Sequence, residues 1–152
     1  MDLRIALVVS GYHAFVTDRL EAGARAALRG AGLPDEAIET FGVPGAFELP
    51  QAAGALANAG GWSAIVCLGC LIRGETPHFQ IIADAVADGI TRAAQASGVP
   101  ISFGVLTTNT AEEALARAGE GETNKGREAA AAAYQMATLY ARLRPSRDAR
   151  PR

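Results

Sequence analysis

The sequence predicts an α/β fold in which a four-stranded parallel sheet lies between helices on both of its faces. The first observation behind this prediction is a set of four short apolar runs, of the kind that fills strands buried on both faces. The second is that segments with a helical spacing of apolar residues alternate with these runs. Such alternation favours parallel strands joined by crossover helices. A chain of 152 residues is long enough for one domain with its own core.

The first half of the chain contains two of the predicted strands and two of the helices. The first strand ends at the turn formed by Gly11, Tyr12 and His13, and the second ends at Pro44 and Gly45. Both helical segments have apolar residues three and four positions apart and end at glycines. In chain order, we expect a strand at 4–10, a helix at 15–31, a strand at 38–43 and a helix at 48–59.

The second half is organised around the turn at 69–79. Thr76 is the candidate N-cap of the helix that follows, and Pro77 takes its first helical position. We expect residues 1–143 to form a single domain and the Arg- and Pro-rich residues 144–152 to form a flexible tail. The predicted elements are a strand at 62–72, a helix at 79–96, a strand at 101–107, a short helix at about 111–118 and a final helix at about 125–143.

The composition excludes several classes of protein. A formal charge of −2 with mixed signs along the chain argues against a nucleic-acid-binding surface. No apolar run approaches the length of a membrane span. The N-terminus enters a strand directly and leaves no room for a signal peptide. We therefore expect a soluble cytoplasmic protein.

Cys67 and Cys70 have the spacing of a CxxC motif, which can indicate a redox pair or half of a zinc site. Both cysteines lie in an apolar strand, whereas a redox pair usually begins a helix in polar surroundings. The chain contains no second cysteine pair that could complete a zinc site. The sequence favours two buried thiols and no metal.

Several polar and aromatic side chains follow the ends of the predicted strands. In a parallel sheet the carboxyl ends of the strands share one edge, where ligands bind. Both histidines of the chain fall at this edge, although most histidines near helix starts only satisfy a local hydrogen bond. The side chains expected there are Tyr12, His13, Phe47, Glu48, Arg73, Glu75, Thr76 and His78.

The turn before the helix at 79–96 has the properties of a phosphate site. A turn of this kind leaves backbone N–H groups free at the positive end of a helix dipole, and both features favour an anion. His78 would stand beside this anion site, and an imidazole can transfer protons near neutral pH. This combination indicates an enzyme that acts on a small molecule.

Four sets of motifs occur in a fixed order and spacing. They are the residues at 43–50, 69–79 and 103–108, and the pair 117–119 with 124–126. With these motifs the sequence resembles the lumazine synthase family. The resemblance extends from about residue 4 to residue 143. The resemblance implies a flavodoxin-like three-layer fold and the penultimate step of riboflavin biosynthesis, without a metal or redox cofactor. It also implies small-molecule substrates, no nucleic-acid or membrane partner, and a homo-pentamer with active sites shared between adjacent subunits.

The reaction implied by the resemblance joins 5-amino-6-(D-ribitylamino)uracil to 3,4-dihydroxy-2-butanone 4-phosphate. The products are 6,7-dimethyl-8-ribityllumazine, phosphate and water. Tyr12 matches the aromatic residue that stacks on the pyrimidinedione, and Glu48 matches a carboxylate that binds ribityl hydroxyls. The resemblance assigns further contacts with this substrate to Ala46, Phe47, Cys70, Leu71 and Ile72.

The remaining assignments concern the phosphate and proton transfer. Glu75 and Thr76 match the phosphate turn, where we expect only the backbone N–H of Glu75 to face the ligand, and His78 matches the catalytic histidine. Arg73 fits the same motif or a structural salt bridge. A neighbouring subunit would supply three more residues. Arg117 would bind the phosphate, and Phe103 and Lys125 would contact the pyrimidinedione. Lys125 is the only lysine in the sequence.

The sequence departs from the family pattern in two residues. His13 replaces an asparagine that many relatives carry, although others have histidine there, and Gln80 stands where relatives often have Asp or Glu. The short segment before the first strand argues against an icosahedral shell of pentamers, whereas the short connection at 119–124 is typical of shell formers. We therefore expect a pentamer, and these two signals do not decide whether pentamers assemble further into a shell.

Two other functional classes are alternatives to the enzyme. A non-catalytic lumazine or flavin binder would keep the pocket but would not need His78 as a proton carrier. A phosphoacceptor or dinucleotide-binding module would need acidic residues or a GxGxxG motif after the first strand, and Ser10, Gly11 and Tyr12 supply neither.

Overall fold

A computed structural model describes residues 2–144 of the chain. Its centre is a single sheet of four parallel strands in the order β2-β1-β3-β4, which confirms the predicted fold class. The strands are β1 (Ile5–Ser10), β2 (Ile38–Val43), β3 (Ala64–Ile72) and β4 (Ile101–Thr108). The helices are α1 (Ala14–Gly30), α2 (Leu49–Ala59), α3 (His78–Ser97), α4 (Ala111–Ala116) and α5 (Lys125–Leu143).

The two central strands are buried almost throughout, which explains their unbroken apolar sequences. Every residue of β1 and all but the last residue of β3 are buried, whereas the edge strands β2 and β4 are partly exposed. In register, Ile5 of β1 pairs with Ile38 and Ala64, and Cys70 of β3 pairs with Leu106. The registers bring the carboxyl ends of all four strands to one edge of the sheet.

Helices cover both faces of the sheet. Ile5 and Leu7 belong to a core formed with α1, α4 and α5, whereas Ala6 and Val8 belong to a second core formed with α2 and α3. This division follows from the geometry of a strand, in which successive side chains point to opposite faces. The sheet is therefore the middle layer of three.

Several element boundaries differ from the predicted ones. Helix α3 begins at His78, so its N-cap is Pro77 and not the predicted Thr76. The Thr76 hydroxyl nevertheless accepts a hydrogen bond from the His78 N–H at 3.4 Å. Helix α4 ends at Ala116, two residues early, and β3 begins at Ala64 and not at 62. Short 3₁₀ turns at Asp35–Ala37 and Ala46–Glu48 were not predicted. Each difference concerns one turn or less, where capping and tertiary contacts decide.

The predicted tail at 144–152 lies outside the described residues except for Arg144. Between residues 2 and 144, none of the helices has both the length and the apolar character needed to cross a bilayer.

Candidate active site

The carboxyl ends of β1 and β3 and the turn after β2 surround a cavity of about 460 Å³, here called the rim cavity. Nine of the residues assigned to the site by the family resemblance line it, and so does His13. The nine are Tyr12, Ala46, Phe47, Glu48, Cys70, Leu71, Ile72, Thr76 and His78. Of the eight side chains predicted to meet at this edge, only Arg73 and Glu75 do not line the cavity.

Two exposed aromatic rings belong to the rim cavity. Tyr12 and Phe47 keep 66% and 62% of their surfaces accessible, unusually high fractions for aromatic side chains. The turns that carry them are joined by hydrogen bonds from the Gly11 N–H to the Val43 carbonyl at 2.8 Å and from the Tyr12 N–H to the Pro44 carbonyl at 3.1 Å. These exposed rings can stack on a flat ligand without a rearrangement of the core.

Glu48 provides a carboxylate at the same cavity. It ends the 3₁₀ turn at Ala46–Glu48, and its N–H donates to the Gly45 carbonyl at 3.2 Å. A Cβ atom at Gly45 would lie 3.2 Å from the Glu48 Oε1, so the carboxylate lies close to this glycine. No ion pair within residues 2–144 involves Glu48. The carboxylate can therefore accept hydrogen bonds from ligand hydroxyl groups.

The turn between β3 and α3 has the donors that an anion needs. The Arg73 N–H still donates to the Thr108 carbonyl at 2.8 Å, but the N–H groups of Gly74, Glu75 and Thr76 find no acceptor in the described chain. These free donors precede the N-terminus of a 20-residue helix. The turn is therefore suited to a phosphate group.

Arg73 was interpreted either as part of the family motif or as a structural salt bridge, and it does not form a salt bridge within residues 2–144. Its guanidinium carbon lies 5.6 Å from the ring centre of Phe79, a cation–π contact, and no carboxylate among residues 2–144 lies within ion-pair distance. Arg73 thus lies over an aromatic ring of the first turn of α3 and outside the rim cavity.

His78 is exposed at the first position of α3 and lines the rim cavity. Gln80, two residues further on, donates a hydrogen bond from its amide to Asp84 Oδ1 at 2.9 Å. The carboxylate nearest in sequence on this helix is therefore engaged by Gln80. His78 is positioned to exchange protons with a ligand in the cavity.

The two cysteines are free and buried, which confirms the prediction from the sequence. Cys67 belongs to the core under α2 and α3, whereas Cys70 belongs to the opposite core and also lines the rim cavity. Burial raises the pKa of Cys67 to about 12 and that of Cys70 to about 11. The thiols are protonated near neutral pH and are poor nucleophiles.

The three residues assigned to a neighbouring subunit lie elsewhere. Phe103, Arg117 and Lys125 line a second cavity of about 330 Å³ along the exposed edge of β4, here called the edge cavity. The residues that line it are not among those that line the rim cavity. One chain therefore separates the predicted site residues into two groups.

Hydrogen bonds to backbone carbonyls fix the positions of Arg117 and Lys125, the two cationic residues of the edge cavity. The Lys125 N–H donates to the Arg117 carbonyl at 2.8 Å, and Arg117 Nη1 donates to the Glu113 carbonyl at 3.0 Å. The ammonium group of Lys125 lies 2.9 Å from Glu128 Oε2. Glu128 was not predicted, although its i,i+3 spacing from Lys125 was a detectable signal.

Two further residues support this arrangement and were also not predicted. The Thr110 hydroxyl caps α4 by accepting from the Glu113 N–H at 3.1 Å, and Glu113 Oε2 accepts from the N–H of Asn109, the residue before the cap, at 3.0 Å. The T-x-x-E spacing could have revealed this cap.

Asn124 connects the start of α5 to the rest of the molecule. Its buried amide donates to the Arg19 and Gly119 carbonyls at 3.1 and 3.0 Å and accepts from the Arg127 N–H at 3.0 Å. No local pattern indicates the long-range contact with α1.

The sequence of the chain is similar to those of known proteins. A family model described as 6,7-dimethyl-8-ribityllumazine synthase matches residues 2–141. A protein from Chlorobium phaeovibrioides (strain DSM 265 / 1930), named 6,7-dimethyl-8-ribityllumazine synthase, is 48% identical over 139 residues. The similarity covers 91% of this chain and 90% of that relative.

Proposed function

Because the chain belongs to the 6,7-dimethyl-8-ribityllumazine synthase family of riboflavin biosynthesis, whose members are transferases, we propose the specific reaction that it catalyses. The enzyme condenses 5-amino-6-(D-ribitylamino)uracil with 3,4-dihydroxy-2-butanone 4-phosphate. The products are 6,7-dimethyl-8-ribityllumazine, inorganic phosphate and water. The observation that supports this proposal best is the division of complementary chemistry between the rim cavity and the edge cavity.

The rim cavity binds the ribityl-bearing pyrimidinedione. Tyr12 stacks on the flat heterocycle, and the Glu48 carboxylate accepts hydrogen bonds from ribityl hydroxyls. The backbone of 46–48 and of 70–72 completes the contacts, since these segments line the cavity at the end of β3 and at the start of α2. A polar ligand with one flat face fits this combination of groups.

The butanone phosphate binds next to the heterocycle. Its phosphate accepts hydrogen bonds from the free N–H groups of Glu75 and Thr76 at the N-terminus of α3. Arg117 from the adjacent subunit adds a planar pair of donors to the same phosphate. The phosphate is therefore held between one chain's backbone and the next chain's cation.

His78 transfers protons during the reaction. Formation of the Schiff base between the substrate amine and the butanone carbonyl, elimination of phosphate and ring closure each move protons near neutral pH. His78 lines the rim cavity together with Thr76 of the phosphate turn and the aromatic side chain of Tyr12. Phe103 and Lys125 of the adjacent subunit close the site over the pyrimidinedione.

The proposed assembly is a homo-pentamer in the cytoplasm in which each site combines a rim cavity with a neighbour's edge cavity. The outer edge of β4 and the adjoining faces of α3 and α5 form an apolar groove of about 360 Å³. Met136 and Phe103 line this groove and keep 40% and 46% of their surfaces exposed. A second copy of the chain would cover this groove and bring the two cavities together.

A subunit-mixing experiment tests the shared site. The variants His78→Ala and Arg117→Ala each lose one half of the site. At a butanone phosphate concentration well below the KM of the wild type, each alone is expected to be nearly inactive. Co-expression lets subunits mix at random, so about one site in four combines an intact rim cavity with an intact edge cavity. Recovery of roughly a quarter of wild-type turnover supports the proposal.

Two outcomes of this experiment would contradict the proposal. If each chain contained a complete site, mixed particles would show no more activity than the two variants assayed separately. If the wild-type protein bound both substrates without forming the lumazine, the reaction itself would be wrong. Light scattering on the same samples gives the number of subunits.

A further inference from the structure

His13 has an unusual backbone conformation at the start of α1. Among residues 2–144 it is the only non-glycine residue with a positive φ, at 61° with ψ at 46°. This left-handed region is unfavourable for most side chains with a Cβ atom, and asparagine, aspartate and histidine adopt it more often than other residues do. Strained residues that persist in a fold are often found at functional sites.

The histidine side chain does not cap this helix start. The residue before a helix usually carries an oxygen that accepts a hydrogen bond from a backbone N–H, but His13 makes no such side-chain cap. Only its carbonyl serves the helix, by accepting from the N–H groups of Val16 and Thr17 at 2.9 and 3.1 Å. Asparagine suits this backbone conformation at least as well as histidine.

The imidazole instead packs against two aromatic rings. Its centre lies 4.5 Å from the Tyr12 ring at an interplanar angle of 63°, and 5.8 Å from the Phe15 ring at 89°. Both are edge-to-face arrangements, the favoured geometry of aromatic pairs. Partial burial lowers the pKa of His13, which favours the neutral form of the ring. His13 also lines the rim cavity beside Tyr12.

We propose that His13 is a positioning residue whose ring, braced by Phe15, holds the Tyr12 ring in the orientation that stacks on the pyrimidinedione. This inference rests on the proposed function, because it is that function which assigns Tyr12 to the heterocycle. The expected benefit is a smaller loss of side-chain freedom when the substrate binds, since the exposed Tyr12 ring is already held on one side.

The test replaces His13 with residues that suit its backbone but lack a ring. His13→Asn and His13→Gly are expected to fold at least as well as the wild type, with an unchanged or higher Tm. In both, KM and Kd for 5-amino-6-(D-ribitylamino)uracil should rise about two- to tenfold, the loss that one edge-to-face contact corresponds to. The KM for the butanone phosphate should change less, and kcat should fall less than KM rises.

A double-mutant cycle with Tyr12→Ala shows whether the effect passes through Tyr12. In the Tyr12→Ala background, His13→Asn should leave the Kd for the pyrimidinedione unchanged. An unaltered Kd in both single His13 variants would overturn the inference, and so would an equal loss with and without Tyr12. A lower Tm with equal losses for both substrates would indicate a structural role and would overturn it too. Failure of the wild-type condensation would instead refute the proposed function.

Discussion

His78 is the side chain with the most specific expected role, because it is an exposed imidazole at the first position of a long helix. His78→Ala should lower kcat by about a hundredfold or more, the size of effect that general acid–base catalysis produces. Binding of both substrates should stay within a few fold of wild type, because the phosphate turn and Tyr12 are untouched. Steady-state kinetics and equilibrium titration measure the two quantities, and an unchanged kcat would exclude His78 from proton transfer.

The thiol of Cys70 gives a prediction about pH. Burial raises its pKa to about 11, so at pH 8 the thiolate is only on the order of one molecule in a thousand. Alkylation of the folded protein by iodoacetamide should therefore be very slow at pH 8. Its rate should increase about tenfold per pH unit towards the pKa, as long as the protein stays folded.

Mass spectrometry of the labelled protein checks this prediction. Unfolding in denaturant restores ordinary thiols and should make both cysteines react at pH 8, which is the internal control. Rapid labelling of Cys70 in the folded protein at pH 8 would contradict its buried, protonated state.

Arg117 depends on the elements around it. The six-residue helix α4 is capped at its start by Thr110, and the residue just after its last turn is Arg117. The backbone of Arg117 is tied to the first residue of α5 through the Lys125 N–H. The short helix and the start of α5 thus hold both cations on the edge cavity.

Arg117→Ala should therefore weaken binding of the butanone phosphate far more than binding of the pyrimidinedione. Loss of a charged hydrogen bond to phosphate corresponds to a Kd increase of about ten- to a hundredfold. Arg127→Ala is the matched control, because this arginine lies two residues after Lys125 in the first turn of α5 but does not line the edge cavity. Equal losses for both substrates would point to a defect in folding or assembly.

At the scale of the whole molecule, β4 is an edge strand whose outer side is not covered by another element of the described chain. A protein that is stable as a monomer usually protects such an edge. The outer edge of β4 lies beside the apolar groove that contains Met136, and exposed strand edges tend to pair with or pack against other chains. The groove also adjoins the edge cavity, since Phe103 and Ser102 line both. An interface at this groove would place the edge cavity at a subunit boundary.

Met136→Asp should separate the subunits, because an unpaired carboxylate is costly to bury in an interface. Light scattering should show smaller particles, circular dichroism should show retained helix, and turnover should fall although Met136 lines neither the rim cavity nor the edge cavity. Gln135→Asp adds the same charge at an adjacent exposed position and should leave the particle size unchanged. Intact particles in the Met136→Asp variant would place the interface elsewhere.

Local patterns in the sequence were sufficient to predict the sheet, its parallel strands and the central helices. Buried strands such as β1 require unbroken apolar residues, and a helix packed on one face repeats its apolar residues every three or four positions. The motifs around Glu48, Thr76 and His78 could be located for the same reason, since each occupies one short turn between two predicted elements. The strands, helices and turns depend mainly on residues that are close together in the chain, so the sequence is sufficient to predict them.

Only the tertiary structure decided which of these residues meet. It placed Arg73 over Phe79, joined Asn124 to α1 and turned the His13 ring against Tyr12. It also placed Phe103, Arg117 and Lys125 on the edge cavity beside β4, which shares no lining residue with the rim cavity. Contacts of this kind depend on the packing of several elements that are distant in the chain. A local pattern of apolar and polar residues does not contain that information.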